Sequence, residues 1–269
     1  MKKESEILQN TLSKHDLHTK WANLYYSGRN NVFYDLAFDK IKKILNNRVN
    51  SNFLDAGCGN GAHSVRLAQR GFKVTAIDFS EPALILCRGK LIENNLDSVV
   101  EVKKGSLLAL DFEDGSFDNV LCWGVLMHIP EVKLALNELC RVIKPGGNLI
   151  LCEVSKNALE TRIGRFIKRL LNKIGEENLT DTGIECWTET SSGKFLVRKT
   201  NFKWLKSYMS DKKFEITKHF PGQFTEIYTR VSPVFLKNII QIFNEIWFKY
   251  VRLSYPSLAQ IIIFRKHDN

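Results

Sequence analysis

The sequence contains no apolar stretch long enough to span a bilayer, and its first residues, Met1-Lys2-Lys3-Glu4-Ser5-Glu6, lack the apolar core of a secretory signal. Its six cysteines (58, 87, 122, 140, 152 and 186) show neither C-x-x-C nor histidine-paired spacing, which argues against a zinc site. We expect reduced, mostly buried thiols in a cytoplasmic protein. No internal repeat or low-complexity segment is present. At 269 residues and 44% hydrophobic, the chain suits one domain with additions.

Positive charge is concentrated in the second half of the chain. Residues 1–150 contain 19 Lys and Arg against 17 Asp and Glu, whereas residues 151–269 contain 20 against 12. An excess of this kind attracts anionic partners, such as phosphorylated or lipid-linked molecules, acidic membrane or nucleic acid. Solubility alone would explain it equally well.

The most informative segment is Phe53-Leu54-Asp55-Ala56-Gly57-Cys58-Gly59-Asn60-Gly61. An apolar strand end runs into an acid and then into three glycines at alternate positions, a turn that lets a ligand lie against bare backbone. A dinucleotide pyrophosphate would be repelled by the Asp55 carboxylate, and its fingerprint is G-x-G-x-x-G. S-adenosylmethionine carries an adenosine, an ammonium group and no phosphate, so it is the cofactor we expect.

A second acid lies at the distance that an adenosine site requires. Val74-Thr75-Ala76-Ile77-Asp78 is predicted to be a buried strand, and a carboxylate at its end accepts both ribose hydroxyls in sheets of this kind. The alternative is that Asp78 caps the helix that begins near Glu81-Pro82. Phe79 and Leu107 would enclose the adenine, or be ordinary apolar packing.

Five motifs in order resemble the class I S-adenosylmethionine-dependent methyltransferases of small-molecule type, the broad group that includes the ubiquinone and menaquinone methyltransferases. The first two are Leu54 to Gly61 and Ala76-Ile77-Asp78-Phe79-Ser80. The others are Asp114-Gly115-Ser116-Phe117-Asp118, Val125 to Ile129 and Glu138 to Gly147. The resemblance implies that the glycine loop and first acid hold the methionine end and that the second acid holds the ribose.

The residues that we expect at the cofactor follow from these motifs. They are Asp55, Gly57, Cys58, Gly59, Gly61, Asp78, Phe79, Ser106, Leu107, Cys122 and Trp123. The family usually has an acid after the third strand for the adenine amino group. This chain has Gly105-Ser106-Leu107 there, so Ser106 supplies a weaker contact or Asp111 substitutes.

Strands alternate with helices, which predicts an α/β, Rossmann-like, doubly wound sheet of seven mostly parallel strands with an antiparallel last strand and helical insertions. Strands are predicted at 51–56, 73–78, 99–103, 117–123 and 147–154, and helices at 61–70, 81–94 and 131–142. Residues 214–218 and 259–264 match the closing strand pair of the family fold. The predicted organisation is a helical N-terminal cap (1–50), a cofactor-binding core (51–154), and a region (155–269) of helical insertions that form a substrate lid, plus the two closing strands of the same domain.

Both insertions contain amphipathic segments. Residues 162–174 place Ile163, Phe166, Ile167, Leu170, Leu171 and Ile174 on one face, flanked by Arg162, Arg165, Lys168, Arg169 and Lys173. Such a helix lies in an anionic membrane surface or covers a pocket. Ser232-Pro233 begins a second helix with a narrow polar stripe of Lys237, Gln241, Asn244, Glu245, Lys249 and Arg252. Its wide apolar surface requires cover by the domain, another subunit or lipid.

Methyl transfer requires an acceptor held beside the reactive carbon and, for a hydroxyl or enolisable carbon, a group that takes a proton. Three candidates follow strands four to six: His128, Glu153 and His219, of which His219 is the most distinctive. Tyr25, Tyr26 and Arg29 are candidates to close the site. Cys122-Trp123-Gly124-Val125 replaces the Asn/Asp-Pro-Pro-aromatic block of base N-methyltransferases, so nucleic acid is a disfavoured partner.

Three functional hypotheses remain open. The leading one is O-methylation of a small or lipid-linked acceptor such as a saccharide, by a cytoplasmic protein that associates peripherally with membrane. The second is C-methylation of an isoprenoid quinone-type ring. The third is a membrane-associated regulatory protein that binds the cofactor without catalysis. The oligomeric state does not follow from the sequence.

Overall fold

A seven-stranded sheet forms the centre of the molecule. The computed structural model describes residues 10–26, 28–46, 51–171, 177–190, 193–251 and 253–268. The strands of this sheet are β1 (Asn52–Ala56), β2 (Lys73–Asp78), β3 (Val100–Lys104), β4 (Phe117–Trp123), β5 (Ile143–Val154), β9 (Phe214–Pro221) and β10 (Ala259–Lys266). Their order in the sheet is β3-β2-β1-β4-β5-β10-β9, with β10 antiparallel to both of its neighbours and the β3-β2-β1-β4-β5 pairs parallel. The predicted fold class is confirmed.

Helices cover both faces of this sheet. They are α1 (His15–Tyr25), α2 (Asn30–Ile44), α3 (Ala62–Gln69), α4 (Glu81–Glu93), α5 (Val132–Val142), α6 (Leu159–Leu170), α7 (Phe202–Asp211) and α8 (Val234–Tyr250). Side chains alternate along each strand, so Phe53 packs in the core with α2, α3 and α4, whereas Leu54 packs in the core with α5 and α7. The sheet therefore lies between two apolar cores, and the loops at its carboxyl edge are left to form a site.

The sequence predicts a helical first insertion, but the structure shows that this insertion also contains strands. It contains a second sheet of three antiparallel strands, β6 (Glu177–Leu179), β7 (Gly183–Thr190) and β8 (Gly193–Thr200). Alternating apolar positions around Ile184 and Phe195, with Ser191-Ser192-Gly193 between the long strands, are the sequence signal for a hairpin. Our prediction gave priority to the basic amphipathic helix and so missed it.

The two amphipathic helices form close to the predicted positions. Helix α6 begins at Leu159, three residues before the predicted start, and ends at Leu170. Part of the predicted continuation to residue 174 lies outside the described residues. Arg252, predicted for the second helix, also lies outside them. Three residues of the polar stripe of α8, Gln241, Asn244 and Glu245, are buried against the protein, whereas Lys249 and much of the apolar side are exposed. No helix within the described ranges is both long and apolar enough to cross a membrane.

Arg198 joins the inserted sheet to the loop that follows β4. The residue is only 1% exposed. Its Nη1 donates to the carbonyls of Leu126 and Ile129 at 2.9 and 2.7 Å, and its Nη2 donates to that of Pro130 at 3.1 Å. Nε donates to Glu185 at 2.9 Å, which balances the buried charge. One side chain thereby fixes the 3-10 turn Leu126–His128 beside the sheet edge.

We predict that Arg198→Ala lowers the free energy of unfolding by about 3–5 kcal/mol, because it leaves buried carbonyls and the Glu185 carboxylate without their donor. Chemical denaturation provides the measurement. The matched control is Arg88→Ala, which removes an exposed pair with Glu81 at 3.0 Å and should change stability by less than about 1 kcal/mol. Equal effects of the two substitutions would contradict the role of Arg198.

Candidate active site

A cavity of about 1200 Å³ opens at the carboxyl edge of the parallel strands. Parallel α/β sheets bind ligands at this edge because the loops that leave the strands converge there. The wall is formed by residues that follow β1, β2, β4 and β5, together with parts of α1, α6, α8 and the inserted sheet. The volume exceeds the range usual for one drug-sized ligand, so it provides room for a cofactor and an acceptor together.

The three glycines after β1 have different roles in the structure. A Cβ at Gly57 would lie 2.6 Å from Val125, and one at Gly61 would lie 2.6 Å from the Cys87 sulfur, so these two positions are small because protein packs against them. A Cβ at Gly59, where φ is +53°, would meet no protein atom within 4 Å. Gly59 lines the cavity. The bare backbone there therefore faces ligand space.

The Asp78 carboxylate lies beside Gly59 at the end of β2. One oxygen accepts from the Gly59 N–H at 3.0 Å and the other from the Ser80 N–H at 2.9 Å. The helix cap that we considered for Asp78 belongs instead to Ser80, whose hydroxyl accepts from Ala83 N. Burial raises the pKa of Asp78, and the backbone donors oppose that rise. Since each carboxylate oxygen has a lone pair to spare, the group is free to accept further hydroxyls from the cavity.

Asp55 lies behind the loop and not on the cavity wall. Its carboxylate is buried and accepts from the Ser64 hydroxyl at 2.6 Å, which ties the end of β1 to α3. Burial raises the pKa of Asp55 to about 7. The structure thus assigns Asp55 a position that supports the loop, and any attraction for a cationic ligand would act without contact. Gly61 and Cys122 are also absent from the cavity wall.

Aromatic rings form one side of the cavity. Trp123, partly buried at the end of β4, stacks on Phe38 with ring centroids 5.5 Å apart. The His63 ring centroid lies 5.0 Å from each of these rings, and within the part of the chain that the structure describes neither ring nitrogen has a hydrogen-bond partner. Burial holds the pKa of His63 well below its usual value, so the ring is neutral. We did not predict His63, although it directly follows the glycine loop.

Most of the residues expected around an adenine lie on the cavity wall. Phe79, Leu107 and Ser106 line the cavity, as does Cys58. The Ser106 hydroxyl accepts from Leu108 N at 3.2 Å, so its first role is to shape the turn after β3. The alternative partner, Asp111, is exposed and lies off the wall.

Glu153 is the predicted catalytic residue that the structure places best. It ends β5, lines the cavity and is only 2% exposed. Its Oε1 accepts from Leu126 N at 3.1 Å, while Oε2 has no hydrogen-bond partner among the described residues. Burial raises the pKa of Glu153 to about 8, against the opposing effect of its backbone donors. A carboxyl group with this pKa exchanges protons near neutral pH.

The two predicted histidines differ. His128 lines the cavity, stacks on Trp21 at 5.4 Å and donates from Nδ1 to the Leu196 carbonyl at 2.6 Å. Burial lowers its pKa to about 4, so it is neutral at physiological pH. His219 lies outside the cavity: its ring stacks on Phe202, and Nε2 donates to Gln260 at 2.9 Å. The side chain of His219 is therefore not placed to take a proton from a cavity-bound acceptor.

Other acids and rings complete the far end of the cavity. Tyr25 and Tyr26 line it as expected, whereas Arg29 is engaged by Glu245 at 2.8 Å. Glu226 also lines it, and burial, followed by the nearby Glu160, raises its pKa to about 7. Sequence reasoning missed Glu226 because nothing around it forms a motif. Among the described residues, no cluster of three or more His, Cys, Asp or Glu could hold a metal.

The comparisons with known sequences agree with this geometry. A family model for a methyltransferase domain matches residues 54–151. A demethylmenaquinone methyltransferase of Lactococcus lactis is 34% identical over 173 residues, which are 62% of this chain and 68% of that protein. A ubiquinone biosynthesis O-methyltransferase of Alkalilimnicola ehrlichii is 32% identical over 45% of this chain and 49% of its own length. The chain thus spans about half the length of several curated relatives.

Similar solved structures support the fold. A SAM-dependent methyltransferase of Methanosarcina mazei has a TM-score of 0.58 at 24% identity, covering 82% of this chain and 95% of that one. Magnesium protoporphyrin IX methyltransferase of Synechocystis, solved with bound SAH, has a TM-score of 0.61 at 17% identity, covering 92% and 93%. At these identities the likeness shows the shared architecture.

The residues present fit S-adenosylmethionine. Open space over Gly59 leaves room for a ligand against the backbone, and the Asp78 carboxylate offers two acceptors to a ribose diol. Phe79 and Leu107 line the same cavity as Asp78 and supply apolar surface for an adenine. Glu153 lies in the same cavity, so cofactor and acceptor spaces are continuous.

We predict that Gly59→Val abolishes measurable binding of S-adenosylhomocysteine in calorimetry, because the new side chain fills the ligand space. Gly28→Val is the matched control: Gly28 also has a left-handed φ, +57°, and open space around its Cβ position, yet it is not on the cavity wall. Both variants bear the backbone strain, but only the first should lose affinity. Equal affinities in the two variants would refute the role of the loop.

We predict that Asp78→Ala weakens S-adenosylhomocysteine binding by about 2–4 kcal/mol, roughly 30-fold to 1000-fold, because charge-assisted hydrogen bonds to the ribose are lost. Asp111→Ala tests the other acid and should leave the dissociation constant unchanged, since Asp111 is exposed and off the wall. A loss of affinity on Asp111→Ala, with none on Asp78→Ala, would reverse the assignment.

Proposed function

Because the chain belongs to the S-adenosylmethionine-dependent methyltransferases, we propose that it transfers a methyl group to a hydroxyl of a lipid-linked acceptor. The observation that carries this proposal is the single cavity that joins the glycine loop to the buried, half-satisfied carboxyl group of Glu153. A cofactor site without adjoining space and an acid–base group would support binding alone. Here both are present.

Residues on the β1 and β2 sides would hold the cofactor. The Gly57–Asn60 backbone would lie against it, Asp78 would accept from its ribose, and Trp123 and His63 would contribute aromatic surface. When bound, the cofactor supplies an electrophilic methyl group, whose C–S electron pair stays with sulfur as the new bond forms. With cofactor and acceptor bound, the side chains around them would leave little room for water, which favours the acceptor over hydrolysis.

Glu153 is the residue that we assign to the acceptor proton. An O–H group must lose its proton as the new O–C bond forms, and a base is most effective when its pKa lies near the working pH. The pKa of Glu153, raised by burial to about 8, meets that condition, and its Oε2 is available. The neutral His128, with a pKa near 4, is a much weaker base and more suitable for positioning.

The apolar rim of the cavity supports an acceptor with a hydrocarbon chain. Ile163 and Ile167 of α6, with Ile239 and Phe243 of α8, line its outer part. A saccharide or a quinone-type ring at the end of such a chain would lie near Glu153. C-methylation of an isoprenoid quinone-type ring is the second candidate, and it is favoured by the relatives named as demethylmenaquinone methyltransferases. Loss of catalysis is the third, and any turnover excludes it.

The test is transfer of labelled methyl from S-adenosylmethionine to a lipid extract, to prenylated quinols and to bulk RNA. We expect label in a lipid fraction. Hot hydriodic acid releases the labelled methyl of an O-methyl ether as methyl iodide and leaves a ring C-methyl group in place, so this treatment, with mass analysis, separates the two products. Label only in RNA or protein would contradict the proposal, as would cofactor binding without any transfer.

Glu153→Gln should reduce this transfer by at least about 100-fold, in line with the usual contribution of a general base, while cofactor affinity is kept. Glu226→Gln, the control at a partly buried acid that also lines the cavity, should retain most of the transfer. Because the base must be ionised, the wild-type rate should increase with pH up to about 8, falling about ten-fold per unit below it. An unchanged rate in Glu153→Gln would show that no such base is needed.

A further inference from the structure

Helix α8 is turned the opposite way from an ordinary surface helix. Its polar residues face the protein: Asn244 is fully buried, and its Oδ1 accepts from the N–H groups of Phe224 and Thr225 at 3.0 and 3.2 Å. Its Nδ2 donates to the Thr225 carbonyl at 2.9 Å, and the neighbouring Glu245 pairs with Arg29. Phe235, on the other side, is 64% exposed. These polar contacts anchor the helix together with the buried ring of Phe248, whereas much of its remaining apolar surface is exposed.

Helix α6 shows the same arrangement. Thr161 is its buried residue and donates to the Ser155 carbonyl at 3.2 Å. Arg165 pairs with Glu177 at 2.9 Å. Phe166, by contrast, is 62% exposed, and Leu170 and Leu171 are exposed with it. Large apolar side chains exposed to solvent on two helices indicate a surface that binds another molecule or a membrane.

These two helices border one opening. Ile163 and Ile167 on α6, and Ile239 and Phe243 on α8, both line the cavity and are exposed to solvent. The α6–α8 face is therefore a surface into which the acceptor end of the cavity opens. Its outermost apolar residues are Phe166, Leu170, Leu171, Phe235, Ile239 and Ile246.

The exposed charges of the two helices have one sign. Arg162, Lys168 and Arg169 are exposed along α6, whereas the one acid of that helix, Glu160, accepts from the Thr225 hydroxyl at 2.6 Å. Arg230, at the cavity wall, and Lys249, on α8, are exposed as well. Apolar side chains flanked by basic ones complement a bilayer interface that carries anionic head groups.

We infer that the α6–α8 face docks on an anionic lipid bilayer, with the cavity mouth turned toward the lipid. A chain-bearing acceptor would then enter from the membrane without crossing water. A second copy of the chain fits this face less well, because an isologous contact would bring the basic flanks of α6 in the two copies together. The inference rests on the exposed residues and their charges, and it holds whether or not transfer occurs.

Flotation with vesicles tests the docking surface. We expect the wild type to float with vesicles of phosphatidylcholine mixed with phosphatidylglycerol, and to bind phosphatidylcholine alone much less. Phe166→Ser with Phe235→Ser should weaken binding by at least about ten-fold, since both rings lose their apolar burial. Arg169→Gln should weaken it about five-fold on the anionic vesicles. None of these three side chains lines the cavity.

The matched control is Ile92→Ser, an equally exposed apolar residue on α4 at 62% exposure. It should float as the wild type does, and every variant should bind S-adenosylhomocysteine normally, which shows that it is folded. The inference is overturned if the wild type does not bind anionic vesicles, if Ile92→Ser weakens binding as much as the α6 and α8 changes, or if those changes instead abolish a lipid-free dimer in sedimentation. Failure here, with transfer to a short-chain acceptor intact, would leave the proposed reaction standing.

Discussion

The bend between β1 and α3 depends on one carbonyl. The N–H groups of Gly57 and Cys58 both donate to the Ile77 oxygen, at 2.9 and 2.8 Å, and this pair of bonds locks the loop to the end of β2. Asp78 then accepts the Gly59 N–H, so the residue that would hold the ribose also holds the loop. Because the two strands are adjacent and parallel, loop and carboxylate cannot move independently. The site is thus formed by the sheet before any ligand arrives, which reduces the ordering that binding requires.

The core and the cofactor end of the site were predictable from the sequence, because they depend on local signals. Buried strands end in acids or glycines at fixed distances, and the bounds of β4 (Phe117–Trp123) match the prediction. The glycine pattern, however, does not say which glycine faces the ligand. Only the packing of Val125 on Gly57 and of Cys87 on Gly61 shows that Gly59 is the open one. Likewise, Asp55 belongs to the motif, yet its side chain turns back to Ser64.

The acceptor end was predicted less well, because it is assembled from segments far apart in the sequence. Glu226 reaches the cavity from a loop before α8, and Arg198 fixes the loop after β4 from a strand of the inserted sheet. His219 had the right position along its strand, but its side chain lies on the face covered by α7. Successive side chains of a strand point to opposite faces of the sheet, so a shift of one residue moves a side chain to the other face. For α8, the sequence showed a polar stripe but not that the stripe faces inward.

The central claim is that one preformed cavity holds an S-adenosyl group at the Gly59–Asp78 end and leaves the Glu153 end free for an acceptor. The most direct test is to soak one crystal of the protein with S-adenosylhomocysteine and a second crystal with NAD, and to compare the two structures. The account predicts density for the first ligand only, with its ribose hydroxyls on Asp78 and open space beside Glu153. Density for NAD along the glycine loop, or for S-adenosylhomocysteine elsewhere, would contradict it.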